Sequence, residues 1–292
     1  MNYLIYLAFG QPAIRSEALF SILSYQQQPA ARDTVVLVYT DAPAEFKAVL
    51  GTDASVQYPP VRLEQWQEWR GRANQPYMVK IAVLEHAAQQ FPGNLLLVDT
   101  DTIWQQSPAT LFARIGAGER FLHQDEGTLA AGNHLNRKIY RHLRVGSWLV
   151  LGQPFRFQPA TRMYNSGLIG LRSTETGLLA EVRELAEAFF AAYNKHLMEQ
   201  LAFSVVFALA GPVALADDCL LHYWNLKEAR PAIVRILTTY VADGPAELLR
   251  RFTRLGLPEL HRQELAYRNL PGWQRTWRKL TGRRWQLPPL TT

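Results

Sequence analysis

Four apolar residues that run straight into two carboxylates constrain this chain more than any other feature: Leu95-Leu96-Leu97-Val98, then Asp99-Thr100-Asp101-Thr102-Ile103-Trp104. The apolar run is too short to span a membrane. With Pro92-Gly93 ahead of it, the pattern predicts a strand buried on both faces of a mostly parallel sheet. In an extended backbone Asp99 and Asp101 point the same way, roughly 7 Å apart, so one divalent cation can sit there with water or a ligand completing its shell. In open α/β sheets ligands gather at the carboxyl ends of strands, where these acids fall. A solvated strand end without metal is the alternative that the same residues allow.

The rest of the chain supports an α/β reading. Asn2 to Phe9 reads as a first strand closed by Gly10-Gln11-Pro12, and Ala13 to Gln27 as a helix with Pro12 near its first position. Thr34 to Tyr39 is a second strand ending at Thr40-Asp41, which gives a βαβ opening. A short helix near Ala44 to Leu50 and a strand from Val56 to Tyr58 precede a Trp-rich connection at Trp66 and Trp69. From Pro76, the residues Tyr77, Ile81, Leu84, Ala88 and Phe91 recur at helical spacing and deliver the chain into the Asp99 strand. Pro108 to Ile115 reads as a short helix. Phe121 to Met163 mixes Gly, His, Asn and Arg without clean periodicity and is expected to be an irregular acceptor-side insertion. Tyr164 to Leu171 reads as a strand, Thr174 to Tyr193 and His196 to Leu209 as helices. Val213 to Ala216 and Cys219 to Tyr223 are short apolar pieces around Asp217-Asp218. Glu247 to Leu255 and much of Pro258 to Arg284 are expected to be helical, broken at Pro271-Gly272.

The 292 residues, 48% hydrophobic and 19% charged, fit one large globular domain with appendages. The domain is expected over residues 1–255, followed by a tail over 256–292. The single cysteine, Cys219, excludes a disulfide within one chain and suits a reducing cytosol. Met1 to Leu7 has neither a basic region nor a small-residue cleavage site, so it reads as a strand rather than a secretory leader. The best apolar run, Phe203 to Ala216, is broken by Gly211-Pro212. A soluble or peripheral, cytoplasmic protein is the expectation.

Two cations stand where a parallel α/β layout makes them informative. Arg15 falls in the first turn of the first helix and Lys80 in the first turn of the helix that follows Pro76. A cation at a helix N-terminus opposes the macrodipole by roughly 0.3 to 1 kcal/mol, so two such placements suggest an anion between them. Surface scatter accounts for either one alone. His222, in Leu220-Leu221-His222-Tyr223-Trp224-Asn225-Leu226-Lys227, lies just past an apolar piece; as a neutral imidazole it can complete a cation's shell, and Lys227 can meet a phosphate. Together these residues form a candidate cage for a metal-bound diphosphate.

A strand, Asp-x-Asp, Trp and Pro, followed about sixty residues later by Tyr164-Asn165-Ser166-Gly167-Leu168-Ile169-Gly170-Leu171, resembles the GT-A fold nucleotide-sugar glycosyltransferases over roughly residues 1 to 230. The nearest group is the glycogenin-like and bacterial lipooligosaccharide galactosyltransferases. The resemblance implies a GT-A (Rossmann-like), mostly parallel sheet flanked by helices, and transfer of a hexose from a nucleotide-sugar donor, usually a UDP-sugar, to a glycan or lipid-linked acceptor. It implies Mn²⁺ or Mg²⁺ held by Asp99, Asp101 and His222, with Asp99 and Thr100 also beside the donor. Ala8, Phe9, Gly10 and Asp41 would hold the base, and Arg15 and Lys80 would reach the diphosphate or sugar. Asn165, Ser166 and Gly167 would pass under the sugar, with Glu199 and Gln200 beside the anomeric carbon. If the likeness to retaining members holds, Gln200 or the Asn165 region steadies the reacting centre. The group's usual His-x-x-Gly-x-x-Lys ending is one residue shorter here and lacks its glycine, and Glu199 replaces an aspartate.

Charge is unevenly spread. The last 32 residues hold seven Lys/Arg against one acid, and the first 260 hold 24 of each. In the basic, largely helical tail, Trp273, Trp277 and Trp285 alternate with Arg275, Arg278, Lys279, Arg283 and Arg284, a composition suited to an anionic membrane surface. The alternative is that the Trp residues pack on the body. Nothing in the chain reads as a nucleic-acid motif. Two other functions remain open: a haloacid dehalogenase-type phosphatase, with Asp217-Asp218 as late acids, and a non-catalytic nucleotide-sugar binding module.

Overall fold

The computed structural model describes residues 1–29, 33–52, 54–72 and 74–290. The last two residues of the expected tail lie outside them. The first half of the chain alternates strands and helices: β1 (Asn2–Ala8), α1 (Pro12–Gln26), β2 (Thr34–Thr40), α2 (Pro43–Leu50), β3 (Val56–Gln57), α3 (Leu63–Glu68), α4 (Met78–Gln90), β4 (Asn94–Val98), β5 (Thr102–Trp104) and α5 (Ala109–Gly116). The second half adds β6 (Arg120–Thr128), α6 (His134–Leu143), the hairpin β7 (Trp148–Val150) and β8 (Gln153–Phe155), β9 (Arg162–Arg172), α7 (Thr176–Ala192), α8 (Met198–Ala210), β10 (Val213–Leu215) and β11 (Leu220–His222). Four helices close the described chain: α9 (Arg230–Tyr240), α10 (Pro245–Arg254), α11 (Leu257–Arg268) and α12 (Gly272–Leu280).

Seven strands form one sheet in the order β10-β6-β9-β4-β1-β2-β3. All neighbours are parallel except at β9, which runs antiparallel to both β4 and β6. The period of two along each strand sends side chains alternately to two cores. Tyr3, Ile5, Leu95 and Leu97 face the core built with α4, α7 and α8, while Leu4, Tyr6, Leu96 and Val98 face the one built with α1, α5, α9, α10 and α11. The four apolar residues of β4 are buried, as the unbroken run predicts. This is a mixed α/β, mostly parallel sheet with helices on both faces, consistent with a GT-A, Rossmann-like arrangement.

Two expectations change. Residues 121–163 are not irregular. Phe121 and Leu122 enter the central sheet, α6 follows, and β7 and β8 fold back on each other. The strand was masked because β6 shifts register between Leu122 and Gln124 and again between Asp125 and Thr128, which breaks the apolar alternation. The helix is hard to see in the sequence because its inward side mixes Leu135, Asn136, Ile139, Tyr140 and Leu143, while its outer face is Arg, Lys and His. The tail boundary also moves. Leu257 and Leu260 of α11 are core residues, and Asn225 donates to Glu264 (2.7 Å), so residues 256–268 belong to the body. The exposed tail begins at α12, where Trp273 and Trp277 stand in solvent while Trp285 packs against the body. No helix among the described residues is long and apolar enough to cross a membrane.

Candidate metal centre

Parallel pairing puts the ends of β1, β2 and β4 on one edge, which gathers Phe9, Asp41 and Asp99 there. The turn after β4 is held from below by hydrogen bonds that all run one way. The Trp104 indole N–H donates to the Tyr6 hydroxyl (3.0 Å), Tyr6 to Ser21 (2.9 Å), Ser21 to Thr102 (2.7 Å) and Thr102 to the Asp99 carbonyl (2.8 Å). The final bond fixes the direction: a carbonyl only accepts, so each hydroxyl up the chain must donate onward. β11 then pairs antiparallel with β5, setting His222 opposite Thr102 and beside Asp101.

The antiparallel β9 supplies the other wall. Gly167 accepts from the Asp99 amide through its carbonyl (2.8 Å), and its own N–H donates to the Asn165 side-chain oxygen (2.8 Å). That oxygen also faces His222 Nδ1 at 3.1 Å, and the Asn165 Nδ2 donates to Glu126 (2.9 Å). With the Gly167 N–H donating to its oxygen and the Glu126 carboxylate accepting from its nitrogen, Asn165 has one orientation, so His222 Nδ1 carries its proton toward it. Nε2 is thereby left facing Asp101 Oδ1 at 3.0 Å and Asp99 Oδ2 at 3.7 Å. A histidine whose far nitrogen donates to a fixed acceptor is oriented as metal ligands commonly are.

Asp99, Asp101 and His222 present ligand atoms within 4.8 Å of one another. Two carboxylates and an imidazole are a donor set that a divalent cation accepts, so the residues fit a metal ion. Cations flank the acids on two sides. Lys80 Nζ lies 2.8 Å from Asp99 and donates to the Ser166 carbonyl (3.1 Å), while Arg230 Nη2 lies 4.0 Å from Asp101 Oδ2 and its Nε donates to Glu17 (3.0 Å). Burial alone would drive the Asp101 carboxyl up, yet His222 and Arg230 together hold it below the usual carboxylate range. Burial also works against the charged forms of His222 and Lys80, but the neighbouring acids outweigh it and raise both. Glu199 and Glu17 go the other way. Burial first, then the charge of Asp99 and of Asp101 respectively, pushes each up to about 7.

No family model and no curated protein matches this chain. In three dimensions it overlaps mouse xyloside xylosyltransferase 1 at 14% identity over 74% of this chain and 84% of the other, with a TM-score of 0.49. It overlaps the galactosyltransferase LgtC, crystallised with donor and acceptor sugar analogues, at 13% identity over 73% of each chain with a TM-score of 0.48. GlyE of Streptococcus pneumoniae overlaps at 12% identity over 85% of this chain and 52% of the other, with a TM-score of 0.45. These neighbours are glycosyltransferases.

The remaining expected residues do not all gather at the acids. Lys80, Asn165, Ser166, Gly167, Glu199 and Gln200 join the acids: Ser166 Oγ lies 3.4 Å from Glu199, and the Gln200 amide donates to Glu126 (3.2 Å). Thr100 is buried in the same turn. At the ends of β1 and β2 the Gly10 amide donates to both Asp41 oxygens at 3.2 Å, and the Phe9 ring lies 4.3 Å from Trp66; Ala8 is buried beneath them. Arg15 is not free to reach a ligand: its guanidinium is engaged by both Glu45 oxygens (2.7 and 2.8 Å) and the Gly10 carbonyl (2.5 Å). Lys227 is exposed on the turn before α9, where its charge bears on His196. Asp217 and Asp218 are exposed and stand apart from the acid cluster.

Sequence reading missed Glu17, Glu126 and Arg230. An acid in α1, ahead of the apolar run Ala18-Leu19-Phe20 and in a helix buried from Arg15 to Tyr25, was the one available signal for Glu17. Glu126 was hidden in the segment read as irregular, and Arg230 at the start of a helix that the sequence reading did not mark.

Proposed function

We propose that this protein is a metal-dependent glycosyltransferase that moves a hexose from a nucleotide-diphosphate sugar, a UDP-sugar in the first instance, to a glycan or lipid-linked acceptor. The observation that carries the reading is the Asp99, Asp101 and His222 cluster at the carboxyl edge of the sheet, with Lys80 and Arg230 on either side. A bound Mn²⁺ or Mg²⁺ supplies charge neutralisation for the departing diphosphate. Lys80 and Arg230 add fixed positive charge in a partly dry site, where it acts more strongly than in water. Arg15, held by Glu45, takes a structural part instead, tying the β1–α1 turn to α2.

Phe9, Gly10 and Asp41 line the end of β1 and β2 where the base is taken up, the Gly10–Asp41 bonds fixing that turn. Gly167 lets the backbone pass close beneath the donor sugar. Gln200 and Asn165, both oriented by Glu126, present fixed dipoles to positive charge at the anomeric carbon. Following the resemblance to retaining members, transfer proceeds with retention in this reading, the acceptor hydroxyl entering on the leaving-group face. The exposed Trp273 and Trp277 with their basic neighbours seat α12 on an anionic, cytoplasmic membrane face.

A thermal-shift panel of UDP, GDP, CMP and their sugars, with and without Mn²⁺, tests the donor site. A ligand at a hundred times its Kd stabilises the fold by about 2.7 kcal/mol, roughly 5 °C for a chain of this length. A shift for the uridine compounds that requires Mn²⁺ and disappears in Asp101→Ala is the expected result. No shift for any nucleotide under any metal sinks the donor site.

A further inference from the structure

The neutral charge of the first 260 residues conceals a separation. Residues 127–163 hold six cations, Arg137, Lys138, Arg141, Arg144, Arg156 and Arg162, and no carboxylate. The rest of the first 260 residues therefore carry 18 Lys/Arg against 24 Asp/Glu. The structure gathers most of this charge on one surface. Along α6 positions 134, 137, 138 and 141 share a face, and all four are exposed while Ile139 and Leu143 turn into the core. Arg144 continues the row. Arg156 follows the β7–β8 hairpin, which folds back on the end of α6 through the Trp148 indole N–H donating to the Leu143 carbonyl (3.3 Å). Arg162 pairs with Asp125; Arg137, Lys138, Arg141, Arg144 and Arg156 have no ion pair among the described residues.

Two aliphatic side chains stand among these cations with nothing covering them. Val145 is 81% exposed and Leu149 71% exposed, the latter opposite exposed Pro154 across the hairpin. Trp148 and Val150 of the hairpin, with Phe157 just beyond it, pack inward, Trp148 and Phe157 against Phe189 of α7, so among the described residues its outward face is free. A soluble anion would need the cations alone. Cations interleaved with projecting aliphatic groups match a surface that is anionic at its headgroups and apolar just beneath, which is an anionic lipid bilayer.

We infer that α6 and the β7–β8 hairpin form a second membrane-docking surface, on the catalytic body and distinct from α12. It follows β6, which carries Glu126, and precedes Asn165 on β9, so the chain that walls the site on one side also rests on lipid. The surface does not depend on the donor-site reading, since no residue in it touches the metal centre.

The test is flotation of the full-length protein with vesicles of phosphatidylcholine alone or containing 30% phosphatidylglycerol. The variants are Arg137→Ala/Lys138→Ala/Arg141→Ala, Val145→Ser/Leu149→Ser, and Trp273→Ala/Trp277→Ala in α12. Each cation near an anionic surface is worth about fivefold in partition, so the triple variant is expected to bind phosphatidylglycerol vesicles on the order of 100-fold more weakly. The aliphatic pair is expected to weaken binding further at high salt, where screening has removed the charge contribution. Unchanged uridine-nucleotide shifts in the same variants show that they fold and that the donor site is separate. The proposal is overturned if the triple variant floats like wild type while the α12 variant does not, because α12 then docks alone. It is equally overturned if the triple variant loses binding to a polyanion such as RNA but keeps binding to vesicles.

Discussion

Gly167→Ala tests the candidate centre at its tightest point. A Cβ on Gly167 would lie 2.1 Å from His222 Nδ1, 2.5 Å from its Cε1 and 2.8 Å from the Asn165 oxygen. None of these neighbours can withdraw freely. The imidazole is buried with its ring edge-on to His123 at 5.5 Å, and the Asn165 oxygen is held by the Gly167 amide itself. The glycine cannot retreat either, because its carbonyl holds the Asp99 amide. Overpacking of this kind costs about 1 to 3 kcal/mol, and losing the Asn165–His222 hydrogen bond adds roughly 1 kcal/mol. Freeing the imidazole from its outer partner should also weaken divalent metal binding about 10- to 100-fold. Urea unfolding measures the first effect and calorimetric titration with Mn²⁺ the second. Gly177→Ala in α7, where no atom lies within 4 Å of the new Cβ, serves as control and should gain about 0.5 to 1 kcal/mol. A Gly167→Ala protein that unfolds at the wild-type urea midpoint and binds Mn²⁺ as tightly would refute the close approach of β9 to His222.

Glu199 and Glu17 are each raised to about 7 from an ordinary 4.5, so the folded state binds protons that the unfolded state releases. Each therefore contributes stability that is complete below about pH 4.5 and lost as pH rises through about 7, on the order of 3 kcal/mol apiece. Glu199→Gln should reduce the fall in unfolding free energy between pH 5 and 8, leaving the shares of Glu17 and of the raised His222; an undiminished fall would place the dependence elsewhere. Glu126 accepts from both Asn165 and Gln200, so Glu126→Ala should release both amides and weaken Mn²⁺ binding about tenfold. Glu126→Gln keeps acceptor capacity and should lose less, and equal affinity in all three proteins would show that the carboxylate does not orient the site.

What could be read from the sequence was what is local in it. Leu95 to Asp101 declares a buried strand and its acidic end within seven residues, and Asn165-Ser166-Gly167 announces a close approach through its glycine. Lys80 follows from helix periodicity. Glu126 and Arg230 could not be read because nothing near them in sequence marks them, and Glu17 had only its place within a buried helix; strand order and helix packing bring all three to the acids from β6, α9 and α1. Arg15 and Lys227 show the limits of position alone. Each stands at a position that invites a phosphate, but Glu45 claims one and the turn before α9 carries the other to the surface. The helical period of α6 was present throughout, hidden because its outward residues are cations rather than a neutral polar mixture.

The antiparallel strand in the middle of the sheet also sets an order of assembly. β1, β2 and β4 can pair as soon as they are made, since each finds a neighbour among residues already synthesised. β6 cannot, because β9 lies between it and β4, and β9 ends at Arg172, 44 residues after β6 has finished at Thr128. A nascent chain therefore passes through a stage in which the sheet is split, with two open strand edges waiting for one insert. Residues 165–167 arrive with that insert, and His222 arrives later still. The candidate ligand set of Asp99, Asp101 and His222 is therefore complete only after the sheet has closed.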